Sequence, residues 1–202
     1  MGRIVKIEVS ARHVHLSWSD FETLFGNGVE LTFEKGLLQP GQFKAGQRVA
    51  ILGPKGSFDE VAIVGPLREK TQVEISITDA KKLGLNPPIR ESGDLKGSEG
   101  CKIVGSSGTV ELGEGVIVPK RHLHLSFEDA SQMRIESGEI VRVKVKTPER
   151  SLVFDDVVAR VSYDFVEVMH IDTDEANAIG LSGNVFGEIM KKEGEGTDEH
   201  MA

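Results

Sequence analysis

With 202 residues the chain can bury a real core, as one domain or as two small ones, and its 39% hydrophobic and 28% charged content is ordinary for a globular protein. A net charge of −8 and only 5% aromatic residues argue against nucleic acid as a partner, while leaving room for a local basic pocket that takes one phosphorylated small molecule. Cys101 is the single cysteine, no apolar run approaches a membrane span, and the start resembles neither a signal nor a transit peptide, so the expectation is a cytoplasmic protein without membrane contact.

Abundant glycine and short Val/Ile runs between turn signals predict a mainly β protein. Ile4 to Val9 alternates as a half-buried strand, and Arg12-His13-Val14-His15-Leu16-Ser17 follows it. Ser17 and Asp20 sit in capping-box positions for a short helix to about Phe25, stopped by Gly26. After Glu30 to Phe33 comes a hairpin of Arg48 to Leu52 and Glu60 to Val64, then a strand over Thr71 to Ile77. Thr78 or Asp79 is expected to cap a helical turn that ends at Gly84. Residues 86–100 read as a linker or as a loop that carries ligand contacts.

The second half replays the first. Arg121-His122-Leu123-His124-Leu125-Ser126 repeats the histidine strand and the helix start, Val141 to Val145 with Leu152 to Val161 repeats the hairpin, and Phe165 to Ile171 repeats the later strand. A helical turn over Asp174 to Ile179 follows, closed by Gly180. The expected organisation is residues 1–95 and 96–190 as two halves, with 191–202 a disordered tail that contains His200.

Residues i and i+2 of a strand share a face, so each His-x-His presents two imidazoles side by side, as a divalent metal requires. The repeat serves as a ruler. His13 matches His122 at an offset of 109 (122 − 13), and Gly84 matches Gly180 at 96 (180 − 84). At the second offset Glu74 falls opposite His170 (170 − 74 = 96). Each half thus offers three donors: His13, His15 and Glu74 in one, His122, His124 and His170 in the other. Three protein ligands with an open position are the pattern of a catalytic zinc, and two such sets facing one another suit a two-metal catalyst. A strand glutamate facing solvent would look the same as Glu74.

Arg68 breaks the repeat, since its counterpart is Asp164 (164 − 68 = 96), and a guanidinium fork there could clamp phosphate; pairing with Glu69 is the plain alternative. Arg90 lies in the glycine-bearing loop and could meet another phosphate. Arg12 and Arg121 point away from the histidine face and are expected in structural pairs. Asp172 is expected either to orient a histidine or to cap the helix after it, and Cys101 to be a buried thiol.

With these residues assembled, the chain resembles the PduL-type phosphotransacylases, or phosphate propanoyltransferases, from about Ile4 to Ile189. The markers are Arg12 to Ser17, Gln39-Pro40-Gly41-Gln42-Phe43, Gly65-Pro66-Leu67-Arg68, Thr71-Gln72-Val73-Glu74, Arg90-Glu91-Ser92-Gly93-Asp94, Arg121 to His124 and His170-Ile171-Asp172-Thr173-Asp174-Glu175-Ala176. The resemblance implies two tandem, pseudo-symmetric closed β-barrels capped by short α-helices, with a dinuclear zinc site between them. It implies acyl transfer between coenzyme A and orthophosphate, with acyl phosphate as the other product, and the same six ligands. Arg68 would bind the phosphate and Arg90 coenzyme A. Members targeted to microcompartments carry an N-terminal extension; here the first strand begins almost at Met1, which favours the cytoplasm. Homo-oligomerisation stays open. Two rivals remain: a metal-dependent thioester or phosphoester hydrolase, and a non-catalytic double barrel stapled by metal.

Overall fold

The computed structural model describes residues 2–190, so the tail expected to be disordered lies outside the described residues. In chain order the elements are β1 (Arg3–Val9), β2 (His13–His15), α1 (Trp18–Phe25), β3 (Phe33–Gly36), β4 (Phe43–Leu52), β5 (Ser57–Gly65), β6 (Gln72–Glu74), α2 (Ile77–Leu83), β7 (Ile89–Arg90) and β8 (Lys102–Val104). There follow β9 (Thr109–Glu111), β10 (Val116–Pro119), β11 (His122–Leu125), α3 (Phe127–Met133), β12 (Ile140–Val145), β13 (Leu152–Val161), β14 (Val168–Ile171), α4 (Thr173–Ala178) and β15 (Val185–Met190).

The helices start where short polar side chains accept the first free backbone N–H groups. Ser17 caps α1 through Asp20, as its sequence predicts, and Ser126 repeats the device through Asp129 for α3. For α2 the cap is Ser76 rather than Thr78 or Asp79, because its hydroxyl accepts from the Asp79 N–H and so begins the helix two or three residues earlier (78 − 76 = 2, 79 − 76 = 3). Gly84 ends α2 in the left-handed region (φ 77°), which costs glycine no steric penalty.

Mainly β architecture is what the structure shows. Six strands close one barrel in the order β1-β14-β11-β13-β12-β15, with β15 returning to β1 by antiparallel pairing. The remaining strands form a sheet ordered β7-β10-β6-β2-β5-β4-β8-β9, with β3 on β4. This sheet curls into a half-barrel, with the Glu99–Val116 bridge bringing the approach to β8 against β10.

The sheets do not follow the halves of the chain. β1 pairs in parallel with β14, whereas β10 pairs in parallel with β6 and β8, carrying β9, pairs with β4, so the first half lends β1 to the barrel and the second half lends β8, β9 and β10 to the other sheet. That exchange ties the two bodies together through backbone hydrogen bonds, where a simple tandem pair would have only side-chain contacts. Two cores result: one gathers Val5, Ile7, Leu123, Leu125, Val143, Phe154 and Met169, the other Val14, Leu16, Phe21, Ile51, Ile63, Val73 and Leu83. Each fully buried apolar side chain of this kind contributes about 1.5–3 kcal/mol.

Candidate active site

Strand alternation sorts these side chains into core and site. Val14 on β2 and Leu123 on β11 are fully buried in the two cores, which turns the flanking histidines to the opposite face. On the partner strands Val73 and Met169 do the same for Glu74 and His170. Register then completes each set: His13 pairs with Glu74 across β2 and β6, and His122 with His170 across β11 and β14. The ladder therefore reproduces the match that the repeat predicts.

In the first set His13 Nε2 lies 3.1 Å from His15 Nε2 and 3.5 Å from a Glu74 oxygen, and His15 Nε2 is 4.0 Å from the other oxygen. In the second, the rings of His122, His124 and His170 lie 4.8–5.3 Å apart, centre to centre. Within each set the donor atoms all fall within 4.8 Å of one another. Both sets line one cavity of about 380 Å³, together with Arg68, Ser92 and two residues the sequence reading passed over, Glu8 and Arg160.

The hydrogen bonds fix which nitrogens face inward. His13 Nδ1 is 3.0 Å from the Ala11 carbonyl, His15 Nδ1 is 3.0 Å from the Val64 carbonyl, and His122 Nδ1 is 2.9 Å from the Lys120 carbonyl. A carbonyl only accepts, so each Nδ1 carries the proton and each Nε2 presents a lone pair in the neutral ring. His13 Nε2 and His15 Nε2 then face each other across 3.1 Å. Together with Glu74 they form a three-donor group that could hold a cation between them. In the second set, His124 Nδ1 is buried without a hydrogen-bond partner among the described residues, which again fits a missing positive partner.

Electrostatics agree. Burial, reinforced by the neighbouring His13, pushes His15 down to about 3. Burial, then His122 and His170, takes His124 to about 2; burial, then His122, takes His170 to about 4. These rings are neutral ligands at ordinary pH. Burial by itself would raise Glu74, but His13 and His15 outweigh it and hold the carboxyl below its usual value, so the group is an anion. Three neutral or anionic N/O donors per set suit zinc or a similar divalent ion.

A second tier holds the first. Gln72 Nε2 donates to Glu74 Oε1 (2.5 Å) and to Ser92 Oγ (2.8 Å), while its Oε1 accepts from the Gly93 N–H (2.7 Å). Arg68 Nη1 reaches Ser92 Oγ at 3.3 Å, so the loop after β7 braces both the carboxylate and the guanidinium. Glu8, on the exchanged β1, pairs in register with His170 and brings a carboxylate oxygen to 3.7 Å from its Nε2. Phe165 lays its ring edge on His124, with centres 4.3 Å apart.

Other expected residues lie elsewhere. Arg90 pairs with Asp94 (2.9 Å) and the Lys96 carbonyl (2.9 Å) and is not part of the cavity lining. Arg12 forks onto Asp79 and Arg121 binds Glu175, the structural pairs expected of them. Asp172 caps α4 in a reciprocal box with Glu175, which settles its two readings in favour of the cap. Cys101 is buried, and burial pushes its thiol up to about 12. No helix among the described residues is long and apolar enough to cross a membrane.

The family model described as phosphate propanoyltransferase matches residues 6–182. The phosphate propanoyltransferase of Listeria monocytogenes is 48% identical over 188 residues, 93% of this chain and 88% of that protein. Its namesake in Thermotoga maritima is 51% identical over 176 residues, covering 87% and 84%, and that of Clostridioides difficile 50% over 188 residues, covering 93% and 90%.

Proposed function

Since the chain belongs to the phosphate propanoyltransferase family, a family of acyltransferases, we propose that it moves an acetyl or propanoyl group between coenzyme A and orthophosphate at the shared cavity. The observation that carries this reading is the pair of inward-facing three-donor sets beside Arg68, a guanidinium with no carboxylate within ion-pair distance among the described residues. His13, His15 and Glu74 would hold one divalent ion, and His122, His124 and His170 the other, zinc being the metal the donors suit. When bound, such ions supply Lewis acidity toward thioester and phosphate oxygens.

The chain's own residues do the rest. Arg68 takes the phosphate as a planar two-pronged donor, steadied by Ser92, and turns one phosphate oxygen toward the thioester carbonyl carbon. That oxygen attacks; the new C–O bond forms as the C–S bond breaks, and coenzyme A leaves as its thiolate, which takes a proton from solvent. No protein nucleophile enters, and Cys101 with its thiol raised to about 12 is unsuited to be one. A cavity of about 380 Å³ accommodates the acyl group, the thioester and phosphate but not the whole coenzyme, whose nucleotide end would lie outside.

Arg68→Ala tests the assignment. Turnover at ordinary phosphate should fall by roughly two orders of magnitude or more, the scale of losing one charged anion anchor, with both metals retained. Retained turnover would reject it.

A further inference from the structure

Two arginines break the internal repeat, and they break it in opposite directions. Arg68 stands where the second half has Asp164 (164 − 68 = 96), and Arg160 stands where the first half has Val64 (160 − 64 = 96). Arg160 lies on β13, its Cα paired with that of His124, and both guanidiniums line the one cavity.

Arg160, like Arg68, lacks a counter-charge among the described residues. Four arginines on or beside strands are, by contrast, neutralised: Arg12 by Asp79, Arg48 by Glu34, Arg121 by Glu175 and Arg142 by Asp155. Among the described residues Arg160 has no carboxylate within ion-pair distance, and its recorded neighbour is the ring of Phe165, 5.9 Å from the centroid. It is half-buried, and it repels Arg68 across the cavity; burial lowers the Arg68 pKa most, Glu74 opposes that, and Arg160 adds a smaller lowering. An unpaired, partly desolvated cation facing a second one is unfavourable unless something anionic completes the pair.

We propose that Arg160 is a second anchor for the reacting phosphate, gripping it from the β13 side while Arg68 grips it from the segment between β5 and β6. The inference rests on reading the cavity as the phosphate site. Phosphate is dianionic with several oxygens in different directions, so it accepts two forks at once, as a carboxylate does less well. A phosphate of coenzyme A offers the same chemistry, but those phosphates lie a pantetheine arm away from the thioester, whereas Arg160 pairs directly with a strand of the ligand sets.

The test uses the metal-loaded, full-length enzyme and two variants. Arg160→Met keeps an apolar stem against Phe165 and removes the charge; Arg160→Lys keeps the charge and removes the fork. In Arg160→Met the KM for orthophosphate should rise by roughly ten- to a hundredfold, with the KM for propanoyl-coenzyme A within about twofold. Arg160→Lys should lie between. Orthophosphate titrated calorimetrically into the loaded enzyme without coenzyme A should weaken in the same order, and elemental analysis should find the metals in place. Unchanged phosphate KM and affinity would overturn the inference. So would a rise confined to propanoyl-coenzyme A, which would assign Arg160 to the coenzyme, or metal loss in both variants, which would make it a support for Phe165 and His124. Wild-type turnover indifferent to phosphate would defeat the phosphate reading itself, and this inference with it; failure of the variants alone would leave that reading standing.

Discussion

Gln72→Leu should weaken one metal set and spare the other. Gln72 is 1% exposed and makes three hydrogen bonds, to Glu74, Ser92 and Gly93. Leucine nearly fills the same volume, so packing changes little and the loss is polar. Gly93 is exposed, and water takes over its N–H at small cost. The bond to Glu74 dominates, because it reaches a buried carboxylate; a hydrogen bond of that kind contributes about 1.5–3 kcal/mol. Freed of it, Glu74 no longer has one preferred orientation toward His13 and His15, and loss of such a supporting contact typically lowers metal affinity about 10–100-fold. The counterpart of Gln72 in the second half is Val168 (168 − 72 = 96), which has no such role, so the second set should be untouched. Competition against a chromophoric chelator, resolved into two binding steps, measures this. Affinity of the weakened step within twofold of wild type, or equal loss at both steps, would refute the reasoning.

Acid should destabilise the metal-free protein. His15, His124 and His170 have folded pKa values of about 3, 2 and 4, below the ordinary 6.5, so below pH 6.5 the unfolded chain binds protons that the folded one refuses. Stability is therefore complete above about pH 6.5 and declines as pH falls toward 4, by about 1.4 kcal/mol per pH unit for each withheld proton; urea melts between pH 7.5 and 4.5 should show the slope, and a flat profile would contradict it. Arg12→Ala should cost about 2–3 kcal/mol by leaving the buried Asp79 carboxylate without its two-pronged partner, yet leave metal content unchanged; thermal melts and elemental analysis separate the two effects.

The site was largely legible because its logic is periodic. Two histidines at i and i+2 and a repeat offset are enough to bring His13 beside Glu74 and His122 beside His170, since strand register carries an offset faithfully from one half to the other. The same offset points to Arg160, opposite Val64, but a lone arginine in a Val-rich strand reads as solvent-facing until its surroundings are seen. The exchange of β1 and β10 could not be read. Alternation says which face of a strand is buried, not which partner it pairs with, and a parallel partner such as β14 for β1 is separated from it by most of the chain. Glu8 was missed for that reason: in sequence it is an ordinary polar position of β1, and only the exchange carries it to His170. The start of α2 was misjudged by a local competition, with Ser76, Thr78 and Asp79 all able to cap and backbone geometry choosing Ser76.

The central claim is acyl transfer to phosphate at the shared cavity, and its most direct test is the release of coenzyme A from propanoyl-coenzyme A by the metal-loaded enzyme, followed with a thiol reagent as orthophosphate is varied from zero. The account predicts negligible release without phosphate, a saturable rise with it, and one acyl phosphate formed per thiol released. A rate indifferent to phosphate, with free carboxylic acid as the product, would contradict it and leave a metal-dependent thioesterase.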